Sequence, residues 1–234
     1  MSAFWKRLTY LLTLAVISYV VTVAIDAYKH ATAETRLFHD VGDATYAMLN
    51  PDNLENGGTG FLVRGYSGTT YILTNKHVCG LAKNNQLVAY SVYNEQPVSL
   101  IDMDKDADLC LMYPPKKIFA KPLRTAWDAL YGTQIYLIGH PLLHPMTVKT
   151  GFLVGKSTIQ INTCHSMIEV MVRGPACMQS FRAQVATVDS RGGNSGSAVT
   201  NVNGNLVGVL FAGDDNGLSA LVPLEDIKRY LSKF

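Results

Sequence analysis

In RGGNSGSAV, residues 191–199, Ser195 lies between Gly193 and Gly196. Glycine lets the backbone adopt conformations that are closed to other residues and approach a bound molecule closely. A loop of this composition can turn the amides of Gly193 and Ser195 toward one point beside the serine hydroxyl, as in an oxyanion hole. A glycine-flanked serine alone is more often an ordinary turn, so this interpretation depends on partners elsewhere in the chain.

Two upstream segments supply such partners. In LTNKHVC an apolar run leads into His77, and in DADLCLM Asp108 directly precedes an apolar run. A serine hydroxyl needs a neighbouring base to take its proton, and an imidazole base needs a carboxylate to fix its tautomer. We therefore predict Ser195 as nucleophile, His77 as general base and Asp108 as the orienting acid. Asp106 is the alternative acid, because it lies two residues away and could share the same face.

The composition indicates a folded, mostly β protein. Of the 234 residues, 48% are hydrophobic and 16% charged, so the chain can bury a sizeable core. Short apolar runs separated by turn residues, with 19 glycines and 12 tyrosines, favour strands over helices. The net charge of +2, without a dense basic face, argues against a nucleic-acid partner.

No metal or organic cofactor is expected. His140 and His144 have the spacing of a helical metal pair, but Pro141 and Pro145 interrupt any helix there.

The pattern of apolar runs divides the chain into segments. A first β unit is predicted at about 57–115 and a second at about 120–223, followed by an amphipathic closing helix at 224–234. Residues 34–56 carry apolar side chains at near-helical intervals, which suits a spacer with a short helix.

The N-terminus contains Leu8–Ile25, an uncharged run of eighteen residues. As a helix it would measure about 27 Å, close to the thickness of a bilayer's hydrocarbon core. Lys6 and Arg7 precede it, so the positive-inside rule leaves the N-terminus cytoplasmic and the remainder extracytoplasmic. Residues 1–33 are therefore predicted to be a cytoplasmic start and a signal anchor through which the chain contacts the lipid bilayer.

A cleaved signal peptide is the alternative to this anchor. Ala31-Thr32-Ala33 is an A-x-A site that follows an apolar stretch with a basic start. Cleavage near Ala33 would release a secreted protein.

The four cysteines permit disulfides in an exported chain. Cys164 and Cys177 flank a segment that could fold back as a hairpin, and we predict a bridge between them. Cys79 and Cys110 each follow a proposed catalytic residue by two positions and could also lie close together. Cysteines that serve only to fill the core are the other interpretation.

Taken together, these segments resemble the chymotrypsin-like (trypsin-like) serine peptidases, nearest to the bacterial glutamyl-endopeptidase and HtrA-type protease domains. The shared motifs, in order, are LTNKHV, the acid followed by apolar residues at Asp108–Leu111, IGHP at Ile138–Pro141, and GGNSGS. The resemblance runs from about Gly57 to Leu224. It implies two six-stranded antiparallel β-barrels, with His77 and Asp108 in the first, Ser195 in the second, and the site between them.

The chain also departs from relatives within this superfamily. Asn194 stands where digestive trypsins have an aspartate that binds a freed N-terminus, so activation of that kind is not expected. Asp189 matches the position of the acid in the trypsin specificity pocket, which implies a preference for basic side chains. The alternative is a surface acid paired with Arg191 or Arg182. Leu210 stands where glutamyl endopeptidases have a pocket histidine, which argues against glutamate.

The sequence therefore predicts a membrane-anchored serine endopeptidase that cleaves protein or peptide substrates through an acyl-enzyme. The alternative is a catalytically silent protein of the same fold that serves as a binding or structural subunit of a membrane-associated or viral assembly. The sequence carries no indication of the oligomeric state.

Overall fold

The computed structural model describes residues 3–93, 95–162, 178–214 and 216–234. These residues form two closed six-stranded antiparallel barrels, as predicted. The first barrel contains β1 (Thr45–Asn50), β2 (Asn53–Arg64), β3 (Thr70–Thr74), β4 (Gln86–Tyr90), β5 (Glu95–Met103) and β6 (Cys110–Met112). The second contains β7 (Gln134–Gly139), β8 (Thr147–Asn162), β9 (Met178–Ala186), β10 (Ala198–Thr200), β11 (Leu206–Gly213) and β12 (Ser219–Pro223).

Each barrel closes by pairing strands that are distant in sequence. The first has the order β1-β2-β3-β6-β5-β4 and closes through β1 and β4. The second has the order β10-β11-β12-β9-β8-β7 and closes through β10 and β7. Closure pairs the first and last strands of each sheet, and the ends of β8 and β9 extend beyond the second barrel as a two-stranded hairpin.

Four helices accompany the barrels in the described residues: α1 (Ala3–Ala31), α2 (Ala33–Asp40), α3 (Lys76–Cys79) and α4 (Leu224–Leu231). Short 3-10 turns occupy Gly42–Ala44 and Pro141–Leu143. The predicted closing helix is α4, which buries Ile227, Tyr230 and Leu231 in the core. It ends at Leu231, a turn earlier than predicted.

The predicted spacer at residues 34–56 is wrong, because most of this segment belongs to the folded domain. Helix α2 packs on the second barrel with Ala33 and Leu37 fully buried. Strand β1 pairs with β2 on one side and β4 on the other, so the first barrel begins at Thr45 and not at residue 57. The near-helical spacing of apolar residues does not mark one helix here, because it runs across two elements, a helix and then a strand.

The N-terminal helix α1 includes Tyr10–Ala31, a segment of 22 residues that is long and apolar enough to cross a membrane. None of that segment is buried against the rest of the protein. The helix continues six residues past Ile25, the last residue of the uncharged run, and contains Asp26 and Lys29 in its last turns.

A disulfide joins Cys79 to Cys110, with a Cα–Cα distance of 6.5 Å, and both residues are buried. It ties α3, which contains the predicted base His77, to β6, which begins two residues after the predicted acid Asp108. Cys79 lies in a helical turn and not in a strand, so the two positions are brought together by the packing of α3 on the barrel. Cys164 and Cys177 lie outside the described residues, and the bridge between them stays a prediction.

Candidate active site

His77 and Asp108 meet at the edge of the first barrel. The ring Nδ1 of His77 lies 2.6 Å from Asp108 Oδ2, and the His77 backbone N–H donates to Asp108 Oδ1 at 3.0 Å. The carboxylate is nearly buried, with 7% of its side-chain surface exposed, whereas the imidazole is 50% exposed. One carboxylate thus fixes both the backbone and the ring of the histidine, and the second ring nitrogen remains available.

Asp106, the alternative acid, is placed elsewhere. Its side chain is 77% exposed and its Oδ2 lies 3.2 Å from Nη1 of Arg229. The geometry therefore favours Asp108 as the partner of His77.

Buried polar residues hold the loop that presents Asp108. Asn75 is fully buried and its Nδ2 donates to the Asp108 carbonyl at 2.8 Å. Asp104 Oδ1 accepts the backbone N–H groups of Asp106 and Ala107, each at 2.8 Å, and Oδ2 lies 3.2 Å from Lys233 Nζ. Burial opposes ionisation of Asp104, but these hydrogen bonds and Lys233 outweigh it and lower its pKa. The loop is thus anchored to residues at the C-terminal end of the chain.

Ser195 lies on a loop of the second barrel that packs directly against the first. Its carbonyl accepts the N–H of Thr59 at 2.7 Å. A Cβ at Gly58 would lie 2.6 Å from Val78 Cγ2 and 2.7 Å from the Ser195 carbonyl, so only the Gly58 backbone separates the serine from the residue after His77. Within the described residues, no hydrogen bond joins the His77 ring to the Ser195 hydroxyl.

The glycines of this loop are required by its conformation. Gly193 has φ +84°, and a Cβ there would lie 2.5 Å from the His140 carbonyl. Gly196 has φ +87°, and a Cβ there would lie 2.1 Å from the Thr59 carbonyl. An L-residue would be both strained and obstructed at either position.

The peptide between Gly192 and Gly193 has a defined direction. The Gly192 carbonyl accepts the N–H of Leu142, and because the peptide is trans, the Gly193 N–H points to the opposite side. Among the described residues, neither the Gly193 nor the Ser195 amide donates to any protein group. Both amides are therefore free to bind an anion, as an oxyanion hole requires.

Thr59 secures the other side of Gly193. Its hydroxyl is buried, donates to the Gly193 carbonyl at 2.8 Å and accepts the His140 N–H at 3.1 Å. Gly193 is thus held by Thr59 on one side and, through the Gly192 carbonyl, by Leu142 on the other. Leu142 and Leu143 both have positive φ, +53° and +57°, so the backbone that presents the Leu142 amide is itself unusual.

The side chain of His140 supports this loop. Its Nδ1 lies 3.1 Å from the His144 carbonyl, and burial lowers its pKa. The ring is therefore held in its neutral form in a structural position.

A cavity of about 320 Å³ opens beside Ser195. Leu210 lines it, together with Ala212 and Ser190, and the role of Leu210 in substrate specificity stays a prediction. The Ser190 hydroxyl lies 2.8 Å from that of Ser219, which donates to the Val188 carbonyl at 2.7 Å. The lining thus combines aliphatic side chains with hydroxyl groups.

Asp189 does not line this cavity, contrary to the prediction. Its carboxylate lies 3.6 Å from Arg191 Nε, and both side chains are largely exposed. Asp214, which does line the cavity, uses its carboxylate to accept the N–H groups of Leu218 and Asn216, and these bonds lower its pKa. The cavity therefore has no charged group free of a protein partner among its described lining residues.

Sequence reasoning missed Thr59, Asn75 and Leu142 as parts of the site. Thr59 lies in the glycine-rich segment GGTG at residues 57–60, and Asn75 lies in LTNKHVC two residues before His77. Leu142 follows IGHP, but no composition rule predicts that its amide binds the nucleophile loop.

Comparison with known proteins identifies the family and the fold. Residues 58–209 match the trypsin-like peptidase domain. The chain is 27% identical over 186 residues to serine protease HTRA3 of Rattus norvegicus, covering 76% of this chain and 38% of HTRA3. The chain thus spans well under half the length of that curated relative.

Among solved structures, the inactive form of the Rv3671c protease of M. tuberculosis superposes with a TM-score of 0.63 and 18% identity, covering 84% of this chain and 91% of the other. The serine endoprotease of Yersinia pestis has a TM-score of 0.62 and 19% identity, covering 85% and 66%. These two likenesses concern the fold. The match over residues 58–209 identifies the chain as a member of the trypsin-like peptidase domain family.

Proposed function

We propose that this protein is a serine endopeptidase held at a membrane by α1, with Ser195 as nucleophile, His77 as general base and Asp108 as the residue that orients His77. The observation that carries the proposal is the 2.6 Å contact between His77 Nδ1 and a nearly buried Asp108 carboxylate. Such a contact holds the proton on Nδ1 and leaves Nε2 as the basic nitrogen.

The proposed chemistry is acyl transfer. Ser195 Oγ attacks the peptide carbonyl carbon while His77 Nε2 takes the hydroxyl proton, and the amides of Gly193 and Ser195 bind the resulting oxyanion. The tetrahedral intermediate collapses, the C–N bond breaks, and the leaving amine takes the proton from His77. Water then attacks the acyl-enzyme by the same route and releases the carboxylate product.

The membrane part of the proposal depends on α1. Its 22-residue apolar segment is unburied and precedes the folded domain directly. An exposed apolar helix of this length is stable in lipid and unfavourable in water. Lys6 and Arg7 support a cytoplasmic N-terminus and an extracytoplasmic protease domain.

Digestion of an unfolded protein tests the proposed activity. We expect the full-length chain in detergent to cleave reduced, denatured casein into peptides, and the His77→Ala variant to lose this activity. Circular dichroism of the two proteins serves as the folding control. A folded wild-type protein without activity would instead indicate a binding subunit of the protease fold.

Thr59 is expected to position the oxyanion hole. Thr59→Val keeps the volume but removes both hydrogen bonds of the hydroxyl, so Gly193 should lose its fixed direction. We expect kcat to fall by about 10- to 100-fold with little change in KM, somewhat less than the loss of a whole oxyanion donor. Thr59→Ser should restore kcat. A rise in KM with unchanged kcat would contradict this role.

We also propose that the cavity beside Ser195 accepts an uncharged aliphatic substrate side chain, since Leu210 and Ala212 line it and no lining charge is free in its described part. Among peptides that differ only in the residue before the cleaved bond, valine or leucine should exceed arginine and glutamate by about 10-fold or more in kcat/KM. Asp189→Ala should leave this order unchanged. A preference for arginine that Asp189→Ala abolishes would restore the original sequence-based prediction.

A further inference from the structure

An exposed apolar surface lies on the second barrel, away from the catalytic loop. Leu130 and Tyr131, in the loop before β7, are exposed, as are Phe152 and Val154 on the outer face of β8. They are neighbours because Gly132 N–H donates to the Leu153 carbonyl at 2.8 Å and Leu153 N–H donates to the Thr133 carbonyl at 3.1 Å. We call these four residues the apolar rim.

Trp127 extends the rim and has the highest exposure of any large apolar side chain in the described residues, 93%. Lys228 on α4 donates to its carbonyl at 2.7 Å and stands 6.0 Å from the centre of its ring. Lys156, which follows Val154 on the same face of β8, is also exposed and pairs with Glu225 on α4. The surface therefore combines aromatic and aliphatic side chains with lysines at its border.

The N-terminal helix leaves the domain next to this surface. The Tyr136 hydroxyl on β7 lies 3.4 Å from His30 Nδ1 at the end of α1, and Thr150 on β8 donates to Glu34 at the start of α2. Tyr136 and Thr150 are paired across the two strands. The point of departure is thus fixed on β7 and β8.

The direction of departure is fixed as well. The start of α2 contacts Thr150, and Gly42, two residues after the end of α2, lies against the Sδ and Cε atoms of Met146. Helix α2 therefore runs from Thr150 toward Met146. That direction leads to the start of β8 and to the catalytic loop. At the other end, Thr32 N–H bonds to the Tyr28 carbonyl and Arg36 N–H to the Thr32 carbonyl, each at 3.1 Å. Thr32, which joins the two helices, has a non-helical φ of -104° and ψ of 0°, so α1 is a separate helix that leaves from the start of α2, the end that lies away from the catalytic loop.

Distances along the two elements place the rim beside the end of α1. From Glu34 back to Ala31 the helix covers about 4.5 Å, at about 1.5 Å for each residue. From Thr150 to Phe152 the strand covers about 7 Å, at about 3.4 Å for each residue. Phe152 and Ala31, the last residue of α1, therefore both lie within about 10 Å of the contact between Thr150 and Glu34.

We infer that the apolar rim and Trp127 rest in the headgroup region of the same bilayer that α1 spans, so that the catalytic cleft faces away from the membrane. This inference rests on the proposed membrane anchor. Tryptophan and tyrosine favour the membrane interface, where their rings meet lipid while their polar groups meet water. Lysines at the border extend toward the phosphates.

Tryptophan fluorescence in lipid nanodiscs tests the inference, because Trp5 and Trp127 are the two tryptophans of the chain. The full-length W5F variant, with Trp127 as its reporter, is placed in phosphatidylcholine nanodiscs in which lipids are brominated near the headgroup end of the acyl chain. We expect a blue-shifted emission that the brominated lipid quenches. The F152W change in a W5F/W127F background should behave in the same way. A matched Y113W change in that background, on the exposed end of the first barrel, should remain unquenched.

The W127F variant, which retains Trp5, reports on the anchor independently. Quenching of Trp5 without quenching of Trp127 or of the F152W reporter would overturn the inference and leave the anchor intact. Absence of quenching at Trp5 as well would overturn the anchor and, with it, the inference. Equal quenching of the Y113W reporter would also contradict the proposed orientation.

Discussion

Replacing Ser195 by alanine is expected to lower kcat for peptide hydrolysis by about 10⁶-fold, the loss seen when the nucleophile of a serine protease triad is removed. The substitution removes the oxygen that forms the acyl-enzyme but leaves the backbone of the loop intact. The Ser195 carbonyl would still accept the Thr59 N–H, and Gly196 N–H would still bind the Leu210 carbonyl. Hydrolysis should therefore disappear while the fold and the cavity persist. Steady-state kinetics with a fluorogenic peptide measure the loss.

Two controls separate loss of chemistry from loss of structure. The Ser195→Ala protein should unfold at the same temperature as wild type and still bind a peptide substrate. Ser197→Ala is the matched variant, because this neighbouring serine is fully buried and has no proposed role in the reaction. Activity in Ser195→Ala close to that of wild type would show that another group is the nucleophile.

The second large effect is expected at Asp108. In Asp108→Asn an amide replaces the carboxylate oxygen that lies 2.6 Å from His77 Nδ1. If the amide NH₂ faces the ring, it donates to Nδ1, and the histidine proton moves to Nε2, where a base is needed. We expect kcat to fall by about 10⁴-fold, because the wrong tautomer cannot take the serine proton. Stopped-flow or steady-state assays of the same peptide measure this loss.

Asp106→Asn is the matched control for Asp108→Asn. Asp106 is exposed and pairs with Arg229 at the surface, so its replacement should change kcat by less than about 2-fold, within the effect of an exposed ion pair. An equal loss of activity in both variants would contradict the assignment of Asp108. The combined Asp108→Asn and Ser195→Ala protein should be no slower than Ser195→Ala alone, because the two groups act as one unit.

The double barrel could be predicted from the sequence because each strand is short and bounded by turn residues, and because LTNKHV and GGNSGS occur in order. The start of the first barrel could not. Strand β1 is recognisable only through its pairing with β2 and β4, and its apolar residues follow those of α2 at intervals that imitate one helix. Long-range pairing decided this boundary.

The chemistry-bearing side chains of the site were easier to predict than their surroundings. His77 and Asp108 are identified by residue type and by the strands around them, and the structure brings them together. The Thr59 hydroxyl contacts Gly193 across the two barrels, and the Leu142 amide contacts Gly192 between two loops of the second barrel, so both contacts depend on tertiary packing. Asp189 was misplaced because its position in the sequence does not determine the path of the loop, which turns its carboxylate toward Arg191.

Covalent labelling with a fluorophosphonate shows whether Ser195 is an activated nucleophile. The detergent-solubilised full-length protein is treated with the probe, digested, and mapped by mass spectrometry. We predict one adduct, on the peptide that contains Ser195, formed much more slowly in His77→Ala and absent in Ser195→Ala. Labelling at Ser190, which lines the same cavity, or no labelling of the folded wild-type protein, would contradict the account.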